Sequence, residues 1–154
     1  LRGSWLPKIT SGWFFKAESF WSVARYLDEV SNQADFLSHS HGEGFLRLFA
    51  ERCSRQGLYL MDEPESALSP ARQLDLLAML AKVQDTASSQ VIMATHSPIL
   101  MGVPGATLLQ VTRFGLEPVS LEQTRHYRLY RAFCLDPHGF IAEELEHRRD
   151  DDVG

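Results

Sequence analysis

Four apolar residues, Leu58-Tyr59-Leu60-Met61, run without interruption into two adjacent carboxylates, Asp62-Glu63, and Pro64 closes the run. So short an apolar run reads as a buried strand, and a proline has no backbone N–H with which to prolong a sheet ladder. Such strands belong to parallel sheets covered by helices. The feature predicts an α/β fold with a mainly parallel sheet flanked by helices, in which one strand delivers acids to its carboxyl end, the edge where open α/β sheets place ligands.

The flanking sequence supplies elements for such a sheet. Trp13-Phe14-Phe15 predicts a short strand ending near Glu18, after an irregular stretch over residues 1–12 that contains Gly3, Pro7 and Gly12. Phe20, Val23, Ala24 and Leu27 recur at helical spacing behind Ser19, which predicts a helix to about Val30, and residues 31–39 read as a polar loop. Ser40-His41-Gly42-Glu43-Gly44 introduces a second helix with Phe45, Leu48 and Phe49 on one face. Beyond the acids, Ser69-Pro70 combines an N-cap hydroxyl with proline at the first helical position. Leu74, Leu77, Ala78 and Ala81 are expected to line the buried face of that helix, widened by Leu80 and Val83. Val91-Ile92-Met93-Ala94 predicts a second buried strand, and it too ends in polar chemistry stopped by proline, Thr95-His96-Ser97-Pro98.

Towards the carboxyl end, Thr107–Thr112 and Glu117–Ser120 flank Phe114-Gly115, a pattern that predicts a hairpin with the glycine in its turn. A helix from about Glu122 to Leu135 follows, and Asp136-Pro137 stops it. Residues 143–154 carry Glu, His, Arg and Asp with few apolar residues, and predict a frayed, solvated tail. The expected organisation is one domain over residues 1–142 followed by that tail.

Composition narrows the function classes. A formal net charge of -5 offers no basic stripe for phosphate backbones, so nucleic-acid binding finds no support in charge. Cys53 and Cys134 form neither a disulfide framework nor a zinc motif, which fits a reducing, cytoplasmic setting. No apolar run is long enough to span a bilayer.

Taken singly, each polar strand end has an ordinary reading: Asp62-Glu63 as an acid pair capping the next turn, His96 as a loop histidine bonded to backbone, Ser40 as a helix cap. Their order and spacing together resemble the C-terminal half of an ABC-type ATPase, with the likeness running from about Trp13 to Leu135. The closest resemblance is to free-standing ATPases of the RecF and SMC kind, often labelled AAA. On that resemblance Ser40-His41-Gly42-Glu43 is the signature-like loop, Leu58 to Glu63 the Walker B strand, Ser66-Ala67-Leu68-Ser69 the D-loop and His96 the switch histidine.

The resemblance implies ATP and Mg²⁺ as ligands, with Asp62 on the metal side, Glu63 polarising the attacking water and His96 reaching the terminal phosphate. It implies nucleotide contacts for Ser40, Gly42 and Glu43, made to ATP held by an opposite subunit, and hence a homodimer or an ABC-like partner joined through the signature loop and D-loop. Glu18 falls near the position of the family's Q-loop glutamine, where a carboxylate reaches Mg²⁺ or its water. The sequence departs from the family pattern in having His41 where glycine is common and the anionic Glu43 in place of glutamine.

The phosphate-cradling motif Gly-x-x-x-x-Gly-Lys-Ser/Thr is missing: the lysines are Lys8, Lys16 and Lys82, and none stands in that context. The expectation is therefore the C-terminal portion of a longer ATPase, inactive alone. The alternative is a non-catalytic module that lends its signature loop to a partner ATPase.

Overall fold

The computed structural model describes residues 11–18, 22, 25–26, 41–53, 55–87 and 89–151. The helix expected from Ser19 to Val30, the loop over residues 31–39 and Ser40 itself lie largely or wholly outside them. The chain divides into two compact units, Leu1–Ala106 and Thr107–Gly154.

The first unit is α/β. Strands β1 (Gly12–Lys16), β2 (Leu58–Asp62) and β3 (Gln90–Ala94) form a parallel sheet in the order β1-β2-β3, with helix α1 (His41–Arg52) between the first two in sequence and helix α2 (Pro70–Thr86) between the second and third. The register places Lys16 beside Asp62 and Asp62 beside Ala94, so three strands end at one level. Gly12, expected in an irregular stretch, opens β1 instead, because β1 and β2 approach so closely there that a Cβ would collide with the Leu58 carbonyl oxygen.

One face of the sheet is covered. Strand alternation sends Phe15, Tyr59 and Met61 to the same side, where they pack with Phe45, Leu48 and Phe49 of α1, the face read from its spacing. The Phe15 ring meets those of Phe45 and Phe49 at centroid distances of 6.1 and 5.7 Å. Tyr59 is fully buried, and its hydroxyl donates to the Arg52 and Arg55 carbonyls. Its opposite neighbours Phe14, Leu60 and Ile92 are register partners across all three strands and are 61, 37 and 53% exposed. The strands expected to be buried on both faces are therefore buried on one.

Helix α2 starts as expected, with Ser69 Oγ accepting from the Arg72 N–H and Pro70 at its first position. Its buried face differs: Leu76 and Leu80 are buried with Leu77 and Met79 beside them, while Leu74 and Ala78 face outward. Leu-rich composition on several sides made spacing alone ambiguous. A short helix α3 (Pro98–Met101), N-capped by Ser97, follows β3 and buries Leu100.

The second unit contains an antiparallel hairpin, β4 (Leu109–Thr112) and β5 (Gly115–Pro118), then helices α4 (Arg125–Leu135) and α5 (Pro137–Asp151). The hairpin turn is Arg113-Phe114, and Gly115 is not in it but begins β5 with φ 125°. Residues 143–151, read as part of a frayed tail, are helical, and 143–149 are exposed. Asp136-Pro137 both ends α4 and starts α5: Asp136 Oδ1 accepts from the Gly139 N–H at 3.0 Å, and proline suits the first helical position. No helix among the described residues is long and apolar enough to cross a membrane.

Candidate functional site

The site is assembled at the carboxyl ends of β1, β2 and β3. Pro64 turns the chain out of the sheet immediately after the acids, into a short 3₁₀ turn over Pro64–Ala67. Glu63 takes up the bend with a left-handed backbone, φ 46° and ψ 53°. A non-glycine residue is uncommon there, at a cost of about 1–2 kcal/mol. The conformation is held by the Glu63 N–H donating to the Ala94 carbonyl at 2.9 Å, while the Glu63 carbonyl accepts from the Ser66 N–H and hydroxyl. This pattern of strain maintained by its surroundings is common where a side chain must be presented.

The neighbouring strand end supplies the partner. His96 Nε2 lies 3.2 Å from Glu63 Oε1, with the two side chains 67 and 53% exposed. Two residues separated by 33 positions and singled out together by the resemblance thus meet at hydrogen-bond distance. The contact becomes an ion pair when the imidazole is protonated.

Asp62 faces the end of β1. Lys16 Nζ stands 3.9 Å from Asp62 Oδ2 and 3.1 Å from Glu18 Oε2. Glu18 bonding and charge, followed by the smaller contributions of Asp62 and Glu63, raise the Lys16 pKa, so this ammonium remains a local counter-charge to the acids. Lys16 was set aside in the sequence as a phosphate-holding lysine because it lacks a glycine-rich context; its place two residues before Glu18 at a strand end was the signal for a role beside the acids.

Among the described residues, no group of three or more His, Cys, Asp and Glu side chains forms a metal cage. A Mg²⁺ ion needs no such cage, since it keeps several waters and is held by one or two carboxylates together with substrate phosphates. The half-exposed Asp62 fits that limited role. A cation bound there would compete with the Lys16 ammonium.

Glu43, at the start of α1, is paired with the guanidinium of Arg72 in the first turn of α2, and Arg72 also holds Asp75 at 3.0 Å. The anionic charge that departs from the family pattern is thus compensated by a residue that sequence reading passed over. Gly42 lies in the first turn of α1.

Residues 14–102, more than half of the chain, match the family model described as "AAA domain, putative AbiEii toxin, Type IV TA system". The chain belongs to this family. The match takes in β1 from Phe14 onward, all of β2 and β3, and the Glu63–His96 pair, and it makes this part of the chain an ATPase-like, nucleotide-binding type of domain. No curated protein matches the chain.

Proposed function

We propose that this chain supplies the hydrolytic side of an ATP site. The observation that carries the reading is the meeting of Glu63 and His96 at adjacent parallel strand ends, with Glu63 held in a strained backbone beside Asp62. Phosphoryl transfer to water requires a positioned nucleophile and compensation of charge on the transferred group. Glu63 would orient and polarise the attacking water; the water oxygen would bond to the γ-phosphorus as the bond to the β–γ bridging oxygen breaks and ADP leaves, and the water's proton would pass to Glu63 or a phosphate oxygen. His96, held by Glu63, would turn its imidazole towards the γ-phosphate oxygens. Asp62 would hold Mg²⁺, whose charge would offset that of the phosphates.

In the same reading Glu18, through its hold on Lys16, sets the position of that ammonium relative to Asp62. Ser40, together with Gly42 and Glu43 at the start of α1, would meet the nucleotide of a second subunit, making the working form a homodimer or a complex with a related ATPase. Backbone N–H groups at a helix start suit phosphate oxygens, and Arg72 offsets the Glu43 charge. The phosphate-cradling loop would come from sequence outside these 154 residues, on the same polypeptide or a partner.

The test is Mg²⁺-ATP turnover by this chain alone and by a form extended upstream. Negligible turnover in the first and robust turnover in the second are expected, and equal turnover would overturn the division of labour. In the extended form Glu63→Gln should abolish hydrolysis and leave ATP binding intact; a variant that still turns over removes Glu63 from the mechanism.

A further inference from the structure

The loop between β3 and α3 is tied at three successive residues to side chains so far without a role. Glu65, in the 3₁₀ turn after β2, uses both carboxylate oxygens on it: Oε1 accepts the His96 backbone N–H at 2.6 Å and Oε2 accepts the Thr95 hydroxyl at 2.7 Å. Thr95 Oγ1 in turn accepts the Ser97 N–H at 3.0 Å. Ser97 is buried, and its hydroxyl donates to Gln73 Oε1 at 2.6 Å. The Gln73 amide nitrogen then donates to the Leu68 carbonyl at 3.2 Å. The path runs from the turn after the acids, through three loop residues, to α2 and back to the chain just beyond that turn.

We propose that Glu65 and Gln73 are positioning residues that lock the His96 loop to the segment from Pro64 to Leu68. Two thirds of the His96 side chain is exposed, so packing alone does not orient it. Its place beside Glu63 is inherited from its backbone, and that backbone is held by a carboxylate making two charge-assisted bonds. Gln73 fixes the far end of the same loop and joins it to Leu68, so displacement of the Leu68 segment is transmitted to Ser97. The functional meaning of the lock rests on the hydrolytic reading of Glu63 and His96, whereas its existence is measurable without nucleotide.

The experiment is amide hydrogen exchange by NMR on the ¹⁵N-labelled 154-residue chain, read together with the His96 imidazole signals. Glu65→Ala should speed exchange at the His96 amide about tenfold or more relative to the amides of β3, the factor expected for losing a charge-assisted bond. It should also shift the His96 imidazole signals. Glu65→Gln, which keeps an acceptor oxygen, should restore most of the protection, and Gln73→Leu should loosen Ser97 more than His96. Unchanged His96 exchange in Glu65→Ala, or equal acceleration at every amide of the sheet, would overturn the lock. Should Glu65→Ala fail to fold, Thr95→Val makes the same comparison: faster exchange at Ser97 and His96 supports the lock, and unchanged exchange overturns it. In the ATP-hydrolysing form, Glu65→Ala should lower kcat with KM unchanged. Retained turnover in Glu63→Gln would instead be a failure of the hydrolytic reading, and would leave the exchange result standing.

Discussion

The two units of the chain reach order by different routes. In the unit ending at Ala106, Tyr59, Phe45, Phe49, Leu76 and Leu100 come from four separate elements and are almost wholly buried. In the unit beginning at Thr107, Thr124 is the buried side chain among the described residues, while Val111 and Phe114 of the hairpin are 80 and 79% exposed. Contacts there are local: Thr124 and Asp136 cap α4 and α5, and the Phe133 and Phe140 rings meet edge to face. The first unit is therefore organised by burial between distant segments, and the second by capping and turn geometry. The candidate chemistry lies in the first, where the core fixes the strand ends.

The largest expected effect that tests this contrast comes from Phe45→Ala, which should cost about 3–5 kcal/mol because it leaves a cavity against Phe15. Denaturant unfolding measures it, and a loss below about 1 kcal/mol would remove the burial argument for the first unit.

Alkaline pH should come next in size. Burial pushes the Cys53 thiol up from 9.0 to about 12, so above pH 9 the unfolded chain loses a proton that the folded chain keeps. Stability should accordingly fall as pH rises from about 9 to about 12, in the same direction as the raised Tyr59, whose shift is caused first by burial and then by Cys53. Cys53→Ala should flatten the decline of the unfolding midpoint over that window; an unchanged slope would show that the thiol does not couple to folding. Cys134 is exposed and should react with a thiol reagent in the folded chain, leaving Cys53 protected.

A smaller effect, about 1 kcal/mol, is expected from Asp136→Ala, which removes the cap of α5. Circular dichroism should register lost helix while the first unit keeps its unfolding midpoint. Smallest of all, Phe114→Ala should change stability by less than about 0.5 kcal/mol. A loss comparable to that of Phe45→Ala would show that the hairpin belongs to a buried core after all, and would erase the distinction between the units.

Much of the first unit was legible because its signals are local and coincide. Pro64, Ser69-Pro70 and Ser97-Pro98 mark where strands stop and helices start, and each does so in the structure. The meeting of Glu63 and His96 followed once two strands were read as parallel neighbours, since parallel pairing brings their carboxyl ends together. What escaped was set by tertiary packing: which side of α2 faces inward, and that one side of the sheet keeps Phe14, Leu60 and Ile92 exposed. Glu65 was invisible as a holder of Thr95 and His96 because its partners are 30 and 31 residues away. In the second unit Asp136-Pro137 ends α4 as read, and what was missed had a different cause, for the same dipeptide that ends one helix also begins the next.

The left-handed backbone of Glu63 has an evolutionary consequence. Glycine adopts that conformation without the steric cost borne by glutamate, and asparagine tolerates it better than most residues. Random variants selected only for heat tolerance should therefore drift away from glutamate at this position and discard its carboxylate. Selection that also requires the carboxylate would keep the less comfortable residue, so the identity retained at position 63 records which pressure acted on the lineage.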